Sequence, residues 1–115
     1  MPFLLLIVEP KGQRRVRTPE EGRAVYARMV DYSARLKDQG VLMATNSLRT
    51  DAVRLTVEAG KKRVLDGPFA ESKELIGGFF LLRCDTREQA LGYAGECPAA
   101  EWASIEVRET GPCYE

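Results

Sequence analysis

The side chains best suited to chemistry cluster in one stretch, residues 65–82, LDGPFAESKELIGGFFLL. Asp66 falls where a strand should end. Its carboxylate can take a proton or bind a donor on a ligand; it can equally cap the turn by accepting backbone N–H bonds. Gly67 lets the backbone bend or approach closely. Pro68 fixes its own φ and biases Gly67 toward extended geometry, so the pair makes a rigid corner that Phe69 can pin to the core. Glu71, Lys73 and Glu74 can orient a polar ligand or form solvated pairs. The candidate site is therefore Asp66 as acid–base group or ligand anchor, Lys73 as its electrostatic partner, and Gly67, Pro68, Phe69 and Glu71 around the ligand. Tyr26 is a further candidate, as a ring shelf; a core ring is its alternative.

Other chemistries find little material. The chain has no histidine, the commonest general base and transition-metal ligand. Cys84, Cys97 and Cys113 have no Cys-x-x-Cys spacing, and their odd number fits reduced thiols in a cytoplasm better than a disulfide framework. Cys84, at the end of an apolar strand, reads as inert, and Cys97, beside Pro98, as a candidate for exposure. No metal site and no cofactor are expected: there is no P-loop and no Gly-x-Gly-x-x-Gly. Seventeen basic residues balance seventeen acidic ones, which gives a nucleic-acid surface no electrostatic support. The basic run at residues 13–17, QRRVR, reads as a solvated loop.

The elements that must position the candidates follow from periodicity. With 115 residues, 44% hydrophobic and 30% charged, the chain fits one folded domain spanning 1–115. Phe3 to Val8 form an apolar run too short for a membrane span or a signal segment, and read as a strand. Thr18, Pro19 and Glu21 make a capping box with proline at the first helical position. Val25, Met29, Tyr32 and Leu36 recur at helical spacing, Tyr26 and Val30 widen the stripe, and Gly40 ends a helix over 19–39. Residues 41–45 read as a strand. Val53, Leu55 and Val57 alternate with polar neighbours, and 63–65 return as the second arm of a hairpin. A strand over 78–84, a short capped helix over 87–94, a helical turn at PAAEW and a strand from Ala103 complete the order.

Strand, helix, strand, hairpin, strand, helix, strand is the split βαβ pattern of the ferredoxin-like class, an α+β fold with an added β-hairpin. The first strand is apolar on both faces: Phe3, Leu5 and Ile7 on one, Leu4, Leu6 and Val8 on the other. Two helices cover only one face, and bare apolar area costs roughly 25 cal/mol per Å². A homodimer packing sheet against sheet is the simplest cover.

The motif Asp66-Gly67-Pro68-Phe69, then Glu71, Lys73 and Glu74, then Gly77-Gly78-Phe79, resembles the signature of the YCII-related family in its Asp-Gly-Pro-Phe branch. The opening apolar strand, DTREQAL at the second helix and SIEVRE near the end extend the resemblance over nearly the whole chain. It implies a dimeric α+β barrel of ferredoxin-like subunits. Some members resemble small enzymes acting on ring compounds through a His and Asp pair; with no histidine here, that analogy leaves Asp66 alone. The branch also implies association with an extracytoplasmic-function sigma factor. The resulting expectation is a cytoplasmic homodimer that binds a small organic ligand in a cleft between sheet and helices, with weak lyase- or hydrolase-type activity. The alternative is a non-catalytic accessory protein of a sigma factor. Neither nucleic acid nor a membrane is expected as a partner.

Overall fold

The computed structural model describes residues 1–114. Its strands are β1 (Phe3–Pro10), β2 (Leu42–Ser47), β3 (Val53–Glu58), β4 (Lys61–Asp66), β5 (Glu74–Leu82) and β6 (Ser104–Glu109). The helices are α1 (Pro19–Asp38) and α2 (Arg87–Glu96), with 3-10 turns at Gln13–Val16 and Pro98–Glu101. The expected cap of α1 forms and α2 is capped in the same way: Thr18 with Glu21 and Thr86 with Gln89 exchange reciprocal bonds that satisfy the first amides of each helix.

Four strands make one antiparallel sheet in the order β2-β5-β1-β6, and β3 and β4 pair separately as a two-stranded ribbon. On the helix side lie Phe3, Leu5 and Ile7 of β1 with Phe80 and Leu82 of β5, packed under Tyr32 and Leu36 of α1 and Ala90 and Ala94 of α2. The Tyr32 ring meets Phe80 edge-on at 5.2 Å, and its hydroxyl donates to the Tyr93 carbonyl at 2.6 Å, so a buried polar group is satisfied where the two helices meet.

The barrel expectation is corrected. The central sheet is open, with β2 and β6 as free edges, and the hairpin ribbon does not close it. On the face away from the helices, Leu4, Leu6 and Val8 are half-buried between Leu81, Phe79 and Ile76 of β5 and Arg108, Glu106 and Ser104 of β6. Directly opposed residues share a face, so that face is apolar across β1 and β5 and polar along β6.

Two element bounds differ in ways that matter for the site. β5 begins at Glu74, four residues before the expected start, because β1 runs on to Pro10 and pairs with it. The ladder slips between Ile7, opposite Gly78, and Val8, opposite Ile76, leaving Gly77 as a bulge. The basic run is no solvated loop either: it winds into the 3-10 turn and turns Arg14 inward.

Candidate functional site

The inward alternation of β1 does not stop at Ile7. Its next member is Glu9, 5% exposed and the one buried charged residue among those described. A carboxylate out of water needs a charged partner and good hydrogen bonds. Arg14 supplies both: its Nη2 donates to Oε1 at 2.7 Å and its Nε to Oε2 at 3.1 Å. The rest of the guanidinium is used as well, Nη1 on the Leu48 carbonyl at 2.7 Å and Nη2 on that of Gly77 at 3.1 Å. One side chain thus ties the ends of β1 and β2 to the bulge in β5.

The bulge makes room for the pair. A Cβ on Gly77 would stand 1.7 Å from Glu9 Oε1 and 2.7 Å from Arg14 Nη2. Any side chain there would displace the pair. Bulges commonly re-aim side chains beside functional sites.

Glu9 and Arg14 line two cavities. The first, about 540 Å³, lies under the N-terminal half of α1 and is bounded by Val25, Tyr26 and Met29, by Phe79 and Phe80, and by Trp102. It exists because α1 packs unevenly: Tyr32 and Leu36 are buried, whereas Val25 and Met29 are half-buried and Tyr26 is 60% exposed. Trp102, the single tryptophan, is held at the edge by Arg17 and Arg28, 5.7 and 5.4 Å from its ring centroid. Gln13 bonds its carbonyl at 2.7 Å, and Arg28 pairs with the neighbouring Glu101. The second cavity, about 620 Å³, lies between the 3-10 turn, the β2–β3 loop and the Gly67–Phe69 corner. Both sizes suit small-molecule sites.

The expected site residues divide between these places. Gly67, Pro68 and Phe69 line the corner cavity and Tyr26 the cleft under α1, whereas Asp66, Glu71 and Lys73 line neither. Asp66 closes β4 opposite Val53 and is exposed. Glu71 accepts from Arg54 at 2.8 Å, and that guanidinium holds its carboxyl below the usual range. Arg54 also lies 3.9 Å over the Phe69 ring, a cation–π contact that braces the corner. The Gly67–Pro68 peptide is cis, and Gly67 donates to the Ala52 carbonyl at 2.8 Å. Lys11 Nζ donates to the Phe69 carbonyl at 2.9 Å, and the Lys11 amide to that of Lys73, also at 2.9 Å.

Cys97 is 2% exposed rather than open to solvent, and burial pushes its thiol pKa up, as it does that of Cys84. Neither is placed to act as a thiolate. Among the described residues no group of three or more Cys, Asp or Glu side chains is arranged to hold a metal, and no helix is long and apolar enough to cross a membrane.

Glu9 and Arg14 are the site residues that sequence reasoning missed. Two signals were present: Phe3, Leu5, Ile7, Glu9 is an unbroken period of two, and Gly77 marks a close approach. The partner came from a basic run whose fold no local pattern announces.

The sequence profile of the YCII-related domain matches residues 1–112. The chain belongs to that family. A protein of Rhizobium meliloti (strain 1021), described as uncharacterized, is 43% identical over 61 residues, a match spanning 51% of this chain and 49% of that one, about half its length. Among solved structures, the chain is similar to the 5-chloro-2-hydroxyhydroquinone dehydrochlorinase of Burkholderia phenoliruptrix AC1100 in complex with 2,5-dihydroxybenzoquinone. The TM-score is 0.57, with 18% identity over 96% of this chain and 94% of the other. At that identity the likeness is one of fold: the YCII-related arrangement of sheet and helices also frames an enzyme that holds a small organic ring.

Proposed function

We propose that this YCII-related protein, in its Asp-Gly-Pro-Phe branch, binds a small oxygenated organic ligand in the cleft under α1, with the Glu9 carboxylate as its acceptor. The observation that carries the reading is the Glu9–Arg14 pair: a nearly buried carboxylate, fixed by a guanidinium, in the wall of an aromatic-lined cleft. Each carboxylate oxygen accepts one bond from Arg14 and keeps a further lone-pair site for a ligand hydroxyl. Tyr26, Phe80 and Trp102 offer ring surface, while Phe79, opposite Leu6, turns its ring to the other face of the sheet. Proton removal by Glu9 would support slow lyase- or hydrolase-type turnover, and the ring-binding dehydrochlorinase of similar fold favours such a ligand. This reading moves the acid–base role from Asp66, exposed at the end of β4, to Glu9.

Trp102 makes the test direct. Titration with 2,5-dihydroxybenzoquinone should quench its fluorescence along a saturating curve. Glu9→Gln should weaken that binding about tenfold, the loss of one charge-assisted hydrogen bond, and Asp66→Asn should leave it unchanged. Quenching that rises without saturation, or equal affinity in Glu9→Gln, sinks the proposal.

The accessory reading, contact with an extracytoplasmic-function sigma factor, draws support from a different place. The β3–β4 ribbon is exposed along its length, and Val53, Leu55, Val57 and Val64 form an apolar row on one side. Such a strip suits a protein contact. Charging it with Leu55→Lys should abolish co-purification of a sigma factor expressed alongside; retention there, or no capture by the parent chain, rejects this reading.

A further inference from the structure

We infer that the corner cavity is a second site, distinct from the cleft, for a small organic anion with a flat apolar body, of the aromatic carboxylate class. The chain as a whole is electrically balanced, yet this cavity is not: Lys11, Arg14, Arg15, Arg49 and Arg54 line it against three acidic residues. Two of those acids are already engaged, Glu9 by Arg14 and Asp51 by Arg49. Arg54 is answered by Glu71 from outside the lining. Lys11 and Arg15 have no carboxylate partner among the described residues. Glu74 is the one lining acid without such a pair, so the cations remain in excess, and a concave site of net positive charge draws a counter-ion.

The other half of the lining is apolar. Pro68 and Phe69 come from the corner, Leu75 and Ile76 from the start of β5. An inorganic ion would leave these surfaces wet, and an uncharged ring would leave the cations unanswered. A ring bearing a carboxylate satisfies both: the planar guanidinium of Arg15 matches a carboxylate fork, and the ring covers apolar surface. The walls are held by bonds between separate segments, Gly67 to Ala52 and Lys11 to both Phe69 and Lys73, so the cavity is formed before any ligand arrives.

The test is an amide NMR titration with benzoate, alongside benzyl alcohol for the ring without charge and inorganic phosphate for the charge without ring. Benzoate should shift Gly12, Ala52, Gly67 and Phe69 amides to saturation, and both comparators should bind at least about tenfold more weakly. Arg15→Gln, an exposed position whose change spares the fold, should weaken benzoate about fivefold or more, as should salt raised to about 0.5 M. Four results overturn the inference: no saturation, benzyl alcohol or phosphate equal to benzoate, unchanged affinity in Arg15→Gln, or shifts confined to Gly22, Tyr26 and Trp102. Because Trp102 lines only the other cavity, failure here leaves the quinone titration of the cleft standing.

Discussion

Glu9 and Asp66 are both carboxylates near strand ends, followed at once or one residue later by proline, and the fold treats them in opposite ways. Glu9 sits on the inward face of a central strand, with a glycine bulge beside it and a guanidinium across it. Asp66 ends the second arm of a ribbon whose strand residues are all exposed. Position at a strand end therefore says little about a carboxylate's use. What matters is the strand's place in the sheet, and whether a neighbour leaves room and brings a counter-charge.

The contrast is broken most sharply by removing the counter-charge. Arg14→Met should cost about 3–5 kcal/mol, because it strands a buried carboxylate and takes one donor each from the Leu48 and Gly77 carbonyls. Asp66→Asn should fall within about 0.5 kcal/mol of the parent. Urea denaturation of both variants measures this. A mild Arg14→Met would mean that water reaches Glu9 and that the pair is less dry than its burial implies. Next in size is the matched leucine pair. Leu5→Ala, at a position with no exposure, should cost about 2–5 kcal/mol. Leu55→Ala, 60% exposed on the ribbon, should cost less than about 0.5 kcal/mol. If Leu55→Ala proved as damaging as Leu5→Ala, the ribbon would be packed against something in solution.

The same contrast explains what could be read beforehand. Caps, helices and most strands were legible because they are written locally: Thr18 with Glu21, the stripe ending in Tyr32 and Leu36, the alternation of Val53, Leu55 and Val57. The corner at Gly67 was legible for the same reason. Illegible was the meeting of Glu9, Arg14, Leu48 and Gly77, four residues from four segments joined by a sheet register and a bulge. The uneven seat of α1 was hidden too. Val25 and Leu36 belong to one apolar stripe, and only the tertiary structure lifts the first off the sheet while burying the second.

Thiols give the smallest and most selective version of the comparison. Cys113 is exposed, whereas Cys84 and Cys97 are buried. A thiol reagent should therefore label one of the three sites in the native protein and the other two only after denaturation; rapid native labelling at Cys97 would show that the seam between α2 and the following turn opens. Alkali should report the same burial thermodynamically. Desolvation raises the pKa of Cys97 and Cys84 above the ordinary thiol value of 9.0, and that of Tyr32 above 10.0. The unfolded chain then loses these protons before the folded one does. Stability from keeping the groups neutral is complete below pH 9.0 and drains away as pH climbs through the raised folded values. Melting temperature should stay level up to that point and then fall. Tyr32→Phe should flatten the part of the decline that begins near pH 10.0, at the cost of about 1 kcal/mol for the lost bond to Tyr93. An unaltered alkaline limb in Tyr32→Phe would mean that the hydroxyl ionises as readily in the fold as outside it, and that the junction of α1 and α2 is wetter than the packing of Tyr32 on Phe80 requires.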